Sequence, residues 1–294
     1  ISYNSQVIPS LVLANILKSV NPDVKILMGG SFFYNYFQEF FNVFYSVNII
    51  DYVIVGRGES AIRDIILNGN SYIENAAKYE VTNIDDRLYI NTFNVMDEAV
   101  VYRPNFDDIN FRLYPTHNKA FPYMIRSSCY YGKCKFCNGD KLARNDIRKD
   151  ITRAFKEILS ISRKINIKNA YIVDAALSPA DFLKISNIKD VFPVKWIANA
   201  RFDIALANQD LMYRLHNNGC QMLRFGLESG SQHVLDLMKK GTDINIAEKI
   251  LRLSHTAGIQ NHIYIMLGYP GETETHRNET IQFISRNKEY ITRS

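Results

Sequence analysis

The chain has 294 residues, 47% of them hydrophobic and 22% charged, with a formal net charge of +5. This is ordinary globular composition, and the length suits two α/β domains or one large domain with an appendage. Only four cysteines are present, which excludes a disulfide-rich secreted scaffold. Lys and Arg are scattered, so a solvated surface accounts for the positive balance and no nucleic-acid face is indicated. No apolar run reaches transmembrane length, and no membrane partner is expected.

Ile1 to Gln6 lacks the basic start and apolar core of a signal peptide. Opening on Ile rather than Met, the chain reads as a segment of a longer protein. Val7 to Val20 carries apolar residues at helical spacing and stops at Asn21-Pro22. Val24 to Met28 is a short apolar run closed by Gly29-Gly30, hence a buried strand. Phe32 to Tyr45 is aromatic-rich and reads as a short helix. Asp51 to Val55 is a second buried strand, closed by Gly56-Arg57-Gly58-Glu59, and Ala61 to Leu67 is a helix. Strands alternating with helices predict a parallel, doubly wound sheet over residues 1–70.

Residues 71–121 lose that rhythm and read as a linker with short extended pieces at Leu88 to Phe93 and Val100 to Tyr102. From residue 122 the rhythm returns. Strands are expected at Tyr123–Arg126, Ala170–Val173, Lys195–Ala198, Met222–Gly226 and His262–Leu267. Helices are expected at Asp146–Lys164, Pro179–Ile188, Gln209–Asn217, Gln232–Met238, Asn245–Ala257 and Glu272–Asn287. Five βα units in succession predict a parallel barrel, or part of one, over 122–294.

Three cysteines crowd into the loop after the first of these strands, Cys129-Tyr-Tyr-Gly-Lys-Cys134-Lys-Phe-Cys137. Thiolates are the natural ligands of iron–sulfur clusters, and three of them leave one iron of a four-iron cube open. Gly132 lets the loop fold tightly. A loop at the C-terminal end of a parallel strand stands where such folds place chemistry. Clustered thiols in a large chain also point to a reducing compartment, so the cytoplasm is expected. A zinc site remains an alternative, with Cys134 and Cys137 as one pair and Cys220 as a distant fourth ligand. Cys220 is otherwise read as a core residue.

The cysteine loop, with Phe136 just before its third thiol, resembles the cluster loop of the radical S-adenosylmethionine (SAM) superfamily. The first gap has four residues where the commonest form has three, a feature similar to some cobalamin-dependent members. Trp196 to Asp203, Phe225 to Ser231 and Ile265 to Thr273 resemble superfamily segments in the same order. The resemblance implies that Cys129, Cys134 and Cys137 hold a [4Fe-4S] cluster. It also implies that Phe136, Asp174, Arg201, Glu228, Ser229, Gly268 and Gly271 contact SAM. Arg201 would take the carboxylate, Glu228 and Ser229 the ribose or amino group, and the glycines the adenine. The usual Gly-Gly-Glu amine motif is replaced by Asp174-Ala175-Ala176.

In the first domain, Ser2, Gly29, Gly30, Gly56, Gly58 and Glu59 resemble part of a cobalamin-binding domain fused to radical enzymes. The fold implied is an α/β chain with a partial Rossmann-like cobalamin-binding-type domain followed by a partial radical SAM barrel. The activity implied is reductive cleavage of SAM to a 5′-deoxyadenosyl radical, with cobalamin allowing methyl transfer to an unactivated carbon. Rearrangement or ring closure without methyl transfer is the alternative within the family. A non-catalytic iron–sulfur or zinc module is the alternative outside it. The implied partners are a small-molecule or peptide substrate and an electron donor such as flavodoxin or ferredoxin.

Overall fold

A computed structural model describes residues 1, 4–33, 36, 48–84, 86–92, 103–116, 118–137, 148–188 and 192–292. The chain forms two compact units, Ile1–Val100 and Val101–Ser294.

The first unit opens with α1 (Val7–Val20), followed by strands β1 (Leu27–Met28) and β2 (Tyr52–Val55). Helix α2 (Glu59–Asn75) leads to β3 (Glu80–Ile84) and β4 (Arg87–Asn91). The sheet order is β1-β2-β4-β3. β2 runs parallel to β1 and β4, while β3 closes the edge antiparallel to β4. The sheet is therefore mixed, not wholly parallel.

The boundaries expected from the sequence shift accordingly. Residues 80–91 belong to the first sheet, because β4 pairs with β2 from Tyr52↔Leu88 to Val55↔Asn91. The region read as a linker thus contributes two strands. The helix read as Ala61 to Leu67 continues to Asn75 across a non-helical residue, Gly69. Most of the helix expected at Phe32 to Tyr45, and the piece at Val100 to Tyr102, lie outside the described residues.

The second unit holds five parallel strands in chain order. They are β5 (Phe121–Tyr123), β6 (Asn169–Ile172), β7 (Lys195–Ala200), β8 (Cys220–Glu228) and β9 (Gln260–Ile265). The helices are α3 (Ile151–Ile165), α4 (Pro179–Ser186), α5 (Gln209–Asn217), α6 (Gln232–Leu237), α7 (Ile244–Thr256) and α8 (Glu274–Arg286). All five expected strands and all six helices are present; α5 has its expected bounds and the others have shifted ends. Helix α3 starts at Ile151, not Asp146, because the Asp150 side chain caps it by accepting from Arg153 N.

One face of this sheet is covered by helices. Leu223, Phe225 and Leu227 of β8 are fully buried there, with Phe155, Ile158, Leu215 and Ile250 in the same core. Intervening residues of β8 remain partly accessible, the alternation expected of a strand with two unlike faces. Cys220 is fully buried at the start of β8, and burial pushes its thiol pKa up, as befits a core residue.

Among the described residues, no helix is long and apolar enough to cross a membrane.

Candidate active site

The parallel strands of the second unit bring the chemistry-bearing residues to their C-terminal ends. Asp174 follows β6 and is almost fully buried. Its Oδ1 accepts from Ile125 N and its Oδ2 from Arg126 N, each at 2.8 Å. Lys149 N donates to Ile125 O at 2.9 Å from the other side. Asp174 thus anchors the backbone that enters the cysteine loop, and both its oxygens are engaged in doing so. Asp174, expected to contact SAM, thus also positions the start of the cysteine loop.

Burial pushes the Asp174 carboxyl up to about 7, outweighing the two backbone donors that favour its charged form. The folded state therefore retains a proton that an unfolded Asp has lost. Its contribution to stability is full below the ordinary Asp range and declines as pH rises through about 7. In urea titrations between pH 4 and pH 7, Asp174→Asn is expected to flatten this part of the stability profile. An unchanged slope would contradict the assignment.

The cysteine loop is held from one side by the turn after α6. Lys135 N donates to Met238 O at 2.9 Å, and Tyr131 Oη to Lys239 O at 3.0 Å. Gly132 has φ of +60° and Gly241 +63°; a Cβ at Gly241 would collide with the Tyr131 hydroxyl. Arg201, at the end of β7, reaches into the same place. Its guanidinium carbon is 3.5 Å from the Tyr131 ring centroid, and Nη1 is 3.6 Å from Cys134 Sγ. Nη2 donates to Lys240 O. The arginine expected to take a carboxylate is in this structure the clamp on the cysteine loop.

Glu228 ends β8 with φ of +68°, a left-handed conformation rare outside glycine, where the β8–β9 register shifts. Its Oε1 accepts from Lys240 Nζ at 2.7 Å, and both side chains are largely buried. A Cβ at Gly226 would stand 2.5 Å from Glu228 Oε1 and 2.7 Å from Lys240 Nζ, so a side chain there would displace the tips of the pair. Lys240 Nζ lies 5.5 Å from the Phe136 ring centroid, which places Phe136 beside this ion pair.

Ser229, expected to contact SAM, is held within the protein. It is fully buried, its Oγ sits 3.2 Å from Thr280 Oγ1, and it accepts from Ser231 N at 3.1 Å. It ties β8 to α8. Ser229→Ala should cost about 1 kcal/mol of stability in urea unfolding while SAM affinity stays at the wild-type value.

Gly268 and Gly271, with φ of +79° and +92°, flank a tight turn after β9. Glu272 closes it: its backbone N donates to Tyr269 O at 2.8 Å and its Oε2 accepts from Gly268 N at 2.6 Å. A Cβ on Gly268 would meet nothing within 4 Å, so its surroundings are open.

Sequence reasoning missed Lys240, Tyr131 and the turn around Gly241. Lys239-Lys240-Gly241 after an apolar helix was a readable turn signal. That Lys240 would face Glu228 depends on packing between segments remote in sequence.

The donor set suits a cluster. Three thiols lie on one nine-residue loop, none in a disulfide, beside an arginine. Among the described residues, these three thiols included, no three His, Cys, Asp or Glu side chains gather closely enough to hold a metal ion. Cys220 stands at the far end of β8 from Glu228, about 26 Å along the strand, so it cannot complete a zinc site with the loop.

In the first unit, Gly30 has φ of +109°, and a Cβ there would stand 2.5 Å from Ile1 O. Phe32 N donates to Ile1 O at 3.1 Å and the Ile1 amino group to Gly29 O. Ile1 and the glycine pair thus lie together in the first unit. Gly56 follows β2 with φ of +106°, and Gly58 with Glu59 opens α2. Ser2 lies outside the described residues.

A parallel α/β sheet thus carries a three-cysteine loop and a charged cradle at its C-terminal strand ends. The family model of the Radical SAM superfamily matches residues 127–284, more than half of the chain, and the chain belongs to that superfamily. It is 22% identical over 297 residues to an uncharacterized methyltransferase of Pyrococcus horikoshii, covering 93% of this chain and 60% of that protein. Its fold is that of two solved structures. One is the radical SAM methyltransferase TsrM from Kitasatospora setae with cobalamin and a [4Fe-4S] cluster bound (TM-score 0.73, 15% identity, 94% of this chain and 57% of that one). The other is the cobalamin-dependent SAM radical enzyme OxsB with aqua-cobalamin bound (TM-score 0.70, 18% identity, 96% and 42%). The chain therefore spans about half the length of the proteins it matches.

Proposed function

We propose that this chain is the cofactor-bearing part of a radical SAM enzyme that transfers a methyl group to an unactivated carbon with the help of cobalamin. The observation that carries the reading is the convergence of the cysteine loop, Arg201 and the Glu228–Lys240 pair at neighbouring strand ends. Cys129, Cys134 and Cys137 would hold the [4Fe-4S] cluster, which supplies the electron that cleaves SAM. Arg201 keeps Cys134 and Tyr131 in register and sets positive charge beside the thiolates. Glu228, already oriented by Lys240, accepts from the ribose hydroxyls of SAM. Gly268 and Gly271 bring backbone to the adenine without an intervening side chain. Phe136 shields the loop from water. A reduced flavodoxin or ferredoxin would deliver the electron in the cytoplasm. Methyl transfer and cobalamin are drawn from the relatives, two of which are solved with cobalamin bound.

The test is anaerobic reconstitution of the full-length protein with iron, sulfide, SAM and dithionite. The reading expects cleavage of SAM, with 5′-deoxyadenosine detected by chromatography. Absence of any SAM cleavage from a protein with its cluster intact would overturn it.

A further inference from the structure

The face of the second sheet that helices leave uncovered carries a guanidinium with no counter-charge. Arg224 sits on β8 between buried Leu223 and Phe225, so its side chain belongs to the other face. It is two residues before Gly226, hence about 7 Å along the strand from the site of the Glu228–Lys240 pair. Its guanidinium carbon lies 4.6 Å from the Tyr171 ring centroid. Its Nε is buried and has no hydrogen-bond partner, and among the described residues no acidic side chain pairs with it.

The surroundings suit a ligand. Asn199 is Arg224's register partner on β7, and its Oδ1 is likewise buried without a partner. Continuing the pairings of β5 with β6 and β6 with β7 sets Met124 and Val173 in the same row. Met124 and Val173 are 46% and 39% exposed, and Tyr264, the register partner of Gly226, is 41% exposed. A half-buried cation among accessible apolar side chains is the pattern of a small-molecule site, where one charge fixes orientation and apolar surface supplies contact. An unsatisfied guanidinium favours a planar or tetrahedral anion able to take two of its N–H groups.

We infer that this face binds the substrate, and that the substrate is a small molecule with an anionic end held by Arg224 and an apolar body lying over Met124, Val173 and Tyr264. The inference rests on the proposed radical SAM function and names its substrate class. The anion is a carboxylate or a phosphate, and Asn199 accepts from an O–H or N–H beside it.

Benzoate and phenyl phosphate serve as probes, with benzamide as the neutral control. Binding to the full-length, cluster-loaded protein is followed by saturation-transfer NMR at constant ionic strength and without SAM. Wild type is expected to bind one or both anions in preference to benzamide; the better of the two identifies the anion class. Arg224→Met should weaken that anion about tenfold or more. Arg224→Lys, which keeps charge but not the fork, should recover part of the loss. Circular dichroism verifies the fold of each variant, and if Arg224→Met does not fold, Arg224→Lys carries the comparison. Anion binding unchanged in the folded variant, or no preference over benzamide in wild type, would overturn the inference. Because no SAM is present, that result leaves the SAM-cleavage reading standing, and a failure of SAM cleavage leaves the anion result standing.

Discussion

Cys134→Ala should abolish both iron incorporation and SAM cleavage, lowering cleavage by more than about a hundredfold. Three loop thiolates leave a four-iron cube no ligand to spare. Cys134 is the central one, the thiol beside Arg201 Nη1. The remaining cysteine cannot rescue it, because Cys220 is fully buried at the opposite end of β8. Iron quantification and the 5′-deoxyadenosine assay together check this. Retention of a full iron complement with active cleavage would remove Cys134 from the ligand set.

The second large effect is expected at Lys240. Lys240→Met strands Glu228 as a buried carboxylate without its cation, a change that costs about 3–5 kcal/mol. For a unit of this size that lowers the melting temperature by roughly 10 °C. The double variant Glu228→Gln/Lys240→Met removes the stranded charge and should regain much of the stability. It should not regain SAM binding, since Glu228 is the proposed acceptor for the ribose. Calorimetry on the single and double variants separates the two roles. Equal destabilisation in both would mean that the pair contributes packing and no charge compensation.

Much of this architecture was legible in the sequence, and the reason is the strength of local signals. Helices Val7–Val20 and Gln209–Asn217 begin and end where periodicity placed them, the first stopping at Asn21-Pro22. The strands of the second sheet are apolar runs of the right length, and the spacing of the cysteine loop narrows its chemistry to iron–sulfur or zinc. β3 was not legible. Glu80–Ile84 is a polar, largely exposed edge strand, so pairing with β4 and not burial of its own side chains makes it a strand.

The residue roles divided along the same line. A motif says which side chains occur near a cofactor, not which way each one turns. Asp174 and Ser229 were read as SAM contacts, yet the structure engages Asp174 with the backbone of Ile125 and Arg126 and Ser229 with Thr280. Lys240 and Arg224 carried no motif at all. Their significance appears only when Glu228 is seen paired with the first and, among the described residues, nothing acidic with the second.

The central claim is that the cysteine loop holds a four-iron cube whose open iron receives SAM. Mössbauer spectroscopy on full-length protein reconstituted with enriched iron tests it directly. A [4Fe-4S] signal is expected in which one iron site alone changes when SAM is added. A site filled by zinc, or a cube with every iron indifferent to SAM, would contradict it.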